Sequence, residues 1–245
     1  MGLFSRLFHK NTEETHPWCS VIVAAAGSSS RMGGENKLMQ PVDGVPLLAR
    51  TLMAVNGASL ADEIVVAARE EDMLVFGELC KLYGISKPVK IVRGGASRLE
   101  SVYRASLECS ESAAFLAVHD GARPLATPEL IDRTITLAYR TNAAAPGVPV
   151  KDTVKIVREG KVESTPERDT LRAVQTPQVF DAALLRGALQ AAVTAGEEVT
   201  DDCSAVERLG KEVYLTEGSY ENIKITTPED LLLAEELLRR REEAL

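Results

Sequence analysis

Ser20-Val-Ile-Val-Ala24, followed at once by Ala25-Ala-Gly-Ser-Ser-Ser-Arg-Met-Gly33, decides how the rest of the chain is read. The first five residues have strand length and almost no polar face. Near-continuous apolar strands of this kind belong to parallel sheets covered on both faces. The residues after the strand are small, so backbone can come close to a ligand, and exposed N–H groups there suit phosphate. Two familiar phosphate loops are excluded. Ser29 stands where G-x-G-x-x-G needs its second glycine, and no Gly-Lys-Ser/Thr follows to make a Walker loop. Arg31 and Lys37 place two cations on one short stretch after a strand, an arrangement that suits a polyphosphate.

The same rhythm continues outward. Apolar runs at Glu63–Ala68, Val89–Val92 and Ala114–Val118 alternate with amphipathic stretches at about Pro46–Gly57, Glu70–Tyr83 and Ser97–Cys109. Strand–helix–strand alternation predicts βαβ units and an α/β fold with a doubly wound, mostly parallel sheet. Thr127-Pro-Glu and Thr227-Pro-Glu-Asp read as helix starts, with Thr as the cap, Pro in the first turn and acid behind it. Lys151–Gln175 breaks the rhythm: alternation at Thr153–Val157, a turn at Arg158–Lys161 and a second short run predict a protruding β-hairpin arm. Its polar faces leave little core, and an isolated hairpin is marginal in water, so it should pack on something, such as a second subunit.

With 245 residues the chain can bury a core without disulfide or metal. Its net charge of −8 argues against a nucleic-acid partner, which calls for a basic surface. No apolar run is long enough to span a bilayer, and Met1–Lys10 is too short and interrupted for a signal peptide. Residues 1–18 read as a tail ahead of a single domain, 19–245, with the arm at about 151–175. The four cysteines form no C-x-x-C pair and read as small buried residues of a reducing, cytoplasmic setting.

The first motif, Ala25-Ala-Gly-x-x-x-Arg-Met-Gly with Lys37, resembles the signature of nucleotidyltransferases that charge a sugar phosphate. Gly94-Gly-Ala-Ser-Arg-Leu-Glu-Ser101, Val118-His-Asp-Gly-Ala-Arg-Pro124, Pro149-Val-Lys-Asp-Thr153, Ala173-Val-Gln-Thr-Pro-Gln178, Thr200-Asp-Asp and Asn222-Ile-Lys-Ile-Thr226 follow in that order. Together they resemble the 2-C-methyl-D-erythritol 4-phosphate cytidylyltransferase family over about residues 20–238. The family that makes CDP-ribitol shares several of these motifs and is the alternative. A nucleotide-binding module without catalysis is a third reading, but it predicts loss of the charged set, which is present.

The resemblance implies a Rossmann-like nucleotidyltransferase fold, CTP and a sugar-alcohol phosphate as substrates, Mg²⁺ as the cofactor, and a homodimer formed through the arm. It implies that Arg31 and Lys37 stabilise charge on the triphosphate, and that Arg168 and Lys224 orient the attacking phosphate. Ala25, Ala26, Gly27 and Ser28 would surround CTP. Gly94, Gly95 and Ser101 would hold the base and ribose, with Ala96 standing where the family often has Asp. Asp120 would hold the metal. Ala122, Arg123, Thr153, Thr176 and Thr200 complete the substrate set. Asp152 and Asp201 read either as acceptors for sugar hydroxyls or as turn and cap residues. Glu221 is a weak candidate for a second metal-side acid, and His119 reads as a packing residue.

Overall fold

A computed structural model describes residues 16–27 and 36–243. The tail through residue 15 lies outside the described residues, as do Ser28 and Arg31. In chain order the elements begin with β1 (Cys19–Ala25), a small ribbon of β2 (Pro41–Val42) and β3 (Val45–Pro46), α1 (Leu47–Gly57), β4 (Glu63–Ala68), α2 (Met73–Leu82) and β5 (Val89–Arg93). They continue with α3 (Arg98–Glu108), β6 (Phe115–Asp120), α4 (Pro128–Thr141), β7 (Ala143–Pro149), β8 (Ile156–Arg158), β9 (Lys161–Ser164) and β10 (Arg172–Val174). The chain ends with β11 (Gln178–Asp181), α5 (Ala182–Ala195), α6 (Asp202–Glu207), β12 (Tyr214–Glu217) and α7 (Pro228–Glu243).

Eight strands form the main sheet in the order β10-β7-β11-β6-β1-β4-β5, with β12 beside β7. β1 pairs in parallel with β4 and β6, and β4 with β5, so the four apolar runs of the sequence make one parallel block. β11 enters antiparallel between β6 and β7. Alternation along the strands feeds two cores. Val21, Val23, Ile64 and Val66 meet α1, α2 and α4 on one face, while Ile22, Val65 and Ala67 meet α3, α5 and α6 on the other. This is the doubly wound, mostly parallel architecture that the motifs imply.

Local chemistry sets the helix starts. The Thr127 side chain accepts from Leu130 N–H, with Pro128 behind it, as the Thr-Pro-Glu pattern predicts. At Thr227 the cap works in reverse: the Asp230 carboxylate accepts from the N–H groups of Thr226 and Thr227. The hairpin turn places Glu159 and Gly160 at φ of 50° and 76°, the left-handed pair that a two-residue hairpin turn requires.

The arm proper is shorter than 151–175. The β8–β9 ribbon projects, but Arg172–Val174 returns to the main sheet and pairs antiparallel with β7. Residues 16–18 are also held to the fold, because Trp18 O accepts from the N–H groups of Ala114 and Phe115, and Tyr139 Oη donates to Pro17 O. All four cysteines are free and buried. No helix among the described residues is long and apolar enough to cross a membrane.

Candidate active site

From β1 the chain moves to β4 and β5 on one side, while β6 lies on the other. The carboxyl ends of β1 and β6 therefore flank a switch point, where open α/β sheets bind ligands. Ala24 and Asp120 are register partners across it, and Gly121 donates its N–H to Ala24 O. A cavity of about 330 Å³ opens at this point, in the size range of small-molecule sites. Ala25, Ala26, Gly27, Lys37, Gly95, Arg98, Ser101, Asp120, Ala122 and Lys224 all line it. Ten residues from five separated stretches of sequence thus converge on one crevice.

The β5–α3 loop forms its roof. Ser97 caps α3 by accepting from Glu100 N–H. The Ser101 hydroxyl donates to Ser97 O and accepts from Gly95 N–H, so it holds the glycine turn in shape. Gly94 is required by close approach: a Cβ there would stand 2.6 Å from Ala26 Cβ. The Glu100 carboxylate accepts from Ala96 N–H and pairs with Arg104, giving this loop an acid although residue 96 is alanine.

Asp120 is the electrostatic centre. Its Oδ2 lies 2.8 Å from Lys224 Nζ and 3.8 Å from Arg123 Nε, and its Oδ1 lies 3.3 Å from Arg98 Nε. Burial opposes its charge, yet Arg98, Lys224 and Arg123 hold the carboxyl well below the usual carboxylate range. The Asp120 N–H donates to Thr176 Oγ1, whose other neighbour is His119 Nδ1 at 3.1 Å. His119 is fully buried, and burial pushes its pKa down to about 4. It is neutral at pH 7 and does not line the crevice.

The Lys224 segment is tied to the same centre. Ile225 donates its N–H to Ala122 O, Arg123 Nη1 donates to Asn222 O, and Lys37 Nζ donates to Ile225 O at 3.2 Å. Lys37 is therefore hydrogen-bonded to the backbone of the residue next to Lys224, and both lysines line the same cavity.

Other expected residues lie elsewhere. Thr176 is buried behind Asp120, and its hydroxyl serves the backbone there. Arg123 is largely buried and faces Asp120. Thr153 and Arg168 are exposed on the arm, Arg168 donating to Lys151 O at 3.4 Å, and neither lines the cavity. Thr200 is exposed beside Ser204, away from the lining residues. Asp201 caps α6 and accepts from Gln178 Nε2. The Glu221 carboxylate is taken by Arg241. Arg98, at the crevice, pairs with fully buried Asp202 at 2.8 Å, and neither residue was singled out from sequence. Arg98 stands inside a quoted motif, but nothing local shows that its partner is 104 residues away.

The family model described as IspD: 2-C-methyl-D-erythritol 4-phosphate cytidylyltransferase matches residues 19–240. A protein of that name from Bacillus cytotoxicus is 46% identical over 220 residues, covering 89% of this chain and 97% of the relative. One from a Synechococcus strain is 42% identical over 228 residues, covering 90% and 97%. Among solved structures, a 4-diphosphocytidyl-2C-methyl-D-erythritol synthase from Anaerococcus prevotii superposes with a TM-score of 0.82 at 32% identity, covering 91% of this chain and 98% of that one. The Thermus thermophilus 2-C-methyl-D-erythritol 4-phosphate cytidylyltransferase gives 0.73 at 35% identity, covering 91% and 99%. With the fold, the crevice and the near full-length matches in agreement, this chain belongs to the 2-C-methyl-D-erythritol 4-phosphate cytidylyltransferase family.

Proposed function

We infer that the crevice between β1 and β6 joins CTP to 2-C-methyl-D-erythritol 4-phosphate, releasing pyrophosphate and forming 4-diphosphocytidyl-2-C-methyl-D-erythritol, a precursor of isoprenoids. The observation that carries this reading is the convergence of Lys37, Lys224, Asp120 and the Ala25–Gly27 backbone at the switch point. An oxygen of the substrate phosphate attacks the α-phosphorus of CTP. One P–O bond forms, the bond to the β-phosphate oxygen breaks, and pyrophosphate leaves with the electron pair. The attacking oxygen is ionised at neutral pH, so no general base is needed, which accords with a buried, neutral His119. Catalysis then rests on positioning and charge neutralisation, the work of Lys37, Lys224 and Arg31 in this reading.

Mg²⁺ fits this site as an ion carried by the substrate. Magnesium is commonly held by one or two carboxylates plus phosphate oxygens. Among the described residues no cluster of three or more metal-binding side chains exists, and Asp120 offers a single carboxylate already facing three cations. Asp120 would hold the ion together with the triphosphate, and the ion would neutralise phosphate charge.

The same reading makes the enzyme a homodimer. Val154, Ile156, Val157 and Val162 of the arm are all exposed apolar side chains, and a second copy would cover them. Arg168 and Thr153 would then complete the neighbour's site. Free, buried thiols support a cytoplasmic setting. The deciding experiment is pyrophosphate release with CTP and Mg²⁺, comparing methylerythritol phosphate with ribitol 5-phosphate. Release with the first alone is expected; equal release with both would overturn the substrate assignment.

A further inference from the structure

Arg98 is the first residue of α3, and the Ser97 cap fixes where that helix starts. Its guanidinium reaches in two directions. Nη2 lies 2.8 Å from Asp202 Oδ2, and Nε lies 3.3 Å from Asp120 Oδ1. The Asp202 side chain is 1% exposed, so it has no access to substrate. Asp202 is itself fixed: its N–H and that of Cys203 both donate to Gln178 Oε1, and Gln178 Nε2 donates to Asp201. The chain of contacts runs from β11 through α6 to Arg98 and ends on Asp120 at the crevice.

We propose that Arg98 is a positioning residue for Asp120: buried Asp202 fixes the guanidinium, which holds Oδ1 and leaves Oδ2 facing Lys224, the cation for which the incoming substrate phosphates compete. The inference rests on the reading that Asp120 belongs to the reaction site. The two cations on Asp120 differ in kind. Lys224 is 41% exposed and, among the described residues, its ion pair is with Asp120 alone, on a flexible stem, so it can exchange. Arg98 is a planar fork engaged at both ends, and a buried partner makes its release costly. Substrate charge arriving at the crevice therefore displaces Lys224 from Asp120 toward phosphate while the carboxylate keeps its orientation. An ammonium at position 98 cannot span both aspartates, so Lys is not a conservative replacement here.

The test uses Arg98→Met, Arg98→Lys, Asp202→Asn and the double variant Arg98→Met/Asp202→Asn. Wild type and Asp120→Asn serve as references, and each protein is measured for kcat, KM for CTP and Tm. Losing an orienting partner behind a reactive group typically costs ~10–100-fold, and that loss is expected in kcat for all four variants. KM for CTP should stay within about threefold, because ground-state binding is not what is lost. Arg98→Met strands a buried carboxylate, so its Tm falls. The double variant removes that lone charge, so Tm recovers while kcat does not. If kcat recovers in step with Tm, or Arg98→Lys matches wild type, Arg98 is merely structural and the proposal is wrong. If Asp120→Asn itself keeps wild-type kcat, the reading of Asp120 has failed and the positioning role falls with it. If Asp120→Asn is inactive while Arg98→Met and Asp202→Asn turn over normally, only the positioning role is overturned.

Discussion

The ammonium of Lys224 sits 2.8 Å from Oδ2 of Asp120, inside a ring of cations that includes Arg98 and Arg123. Asp120→Asn keeps the shape and removes the shared counter-charge. Turnover should fall by ~10²–10³, the usual cost of losing one charge-stabilising group. Tm should fall as well, because Arg123 is left buried without its carboxylate. The folded carboxyl titrates below its ordinary range, so its stabilisation is present above about pH 4 and fades only in stronger acid. Thermal unfolding between pH 5 and pH 2 should therefore be less pH-dependent in the variant.

Lys37→Ala tests the loop cation. If Lys37 acts on charge that develops at the α-phosphorus, kcat should fall by ~10²–10³ with little change in KM for CTP. Near-normal turnover would remove Lys37 from the mechanism.

Gly94→Ala places a methyl 2.6 Å from Ala26 Cβ, between the two loops that roof the crevice. Overpacking of this kind typically costs ~1–3 kcal/mol. The expected result is a raised KM for CTP and a lower Tm. A variant binding CTP like wild type would show that the loops part without cost.

His119 gives a pH prediction of its own. It is fully buried, and its folded pKa of about 4 lies below the ordinary 6.5, so the unfolded chain binds the extra proton between those values. Stability is therefore lost as pH falls through that window, by ~3 kcal/mol in all. Urea titrations at pH 7 and pH 4.5 should show this fall, and His119→Gln should flatten it. An equal slope in both proteins would place the loss elsewhere.

Arg168 and Lys37 test the shared site. If two copies share each site as proposed, Arg168→Ala and Lys37→Ala proteins should each be nearly inactive alone. Random re-pairing gives about half mixed dimers with one intact site of two, so activity should return to about a quarter of wild type. No recovery, with mixed dimers shown to form, would place both residues in one chain.

Most of the parallel block was legible because β1, β4 and β6 are buried on both faces, and burial of that kind is written in consecutive residues, whereas β5 is a half-buried edge strand read from the strand–helix rhythm. The antiparallel half was not. Ala143-Ala-Ala-Pro-Gly-Val-Pro149 lacks β-branched character apart from Val148, and it is a strand because β11, β10 and β12 bond it on both sides. In the site, the motifs mark most of the residues that line the crevice, but they miss Arg98 there and give no sign of which residues stand behind it: they imply a substrate role for Thr176 and do not single out Asp202. The Thr176 hydroxyl is spent on the Asp120 N–H, and Asp202 is spent on Arg98, contacts that span 56 and 104 residues.

The four buried cysteines have a practical meaning. Burial pushes every one of these thiols up, so none presents a reactive thiolate while the chain is folded. The wild-type background should therefore react slowly with maleimide dyes, which a labelling time course on the folded protein checks. A single cysteine introduced at Val157 would be the one thiol on the arm, and its labelling rate would report whether a second copy covers that face.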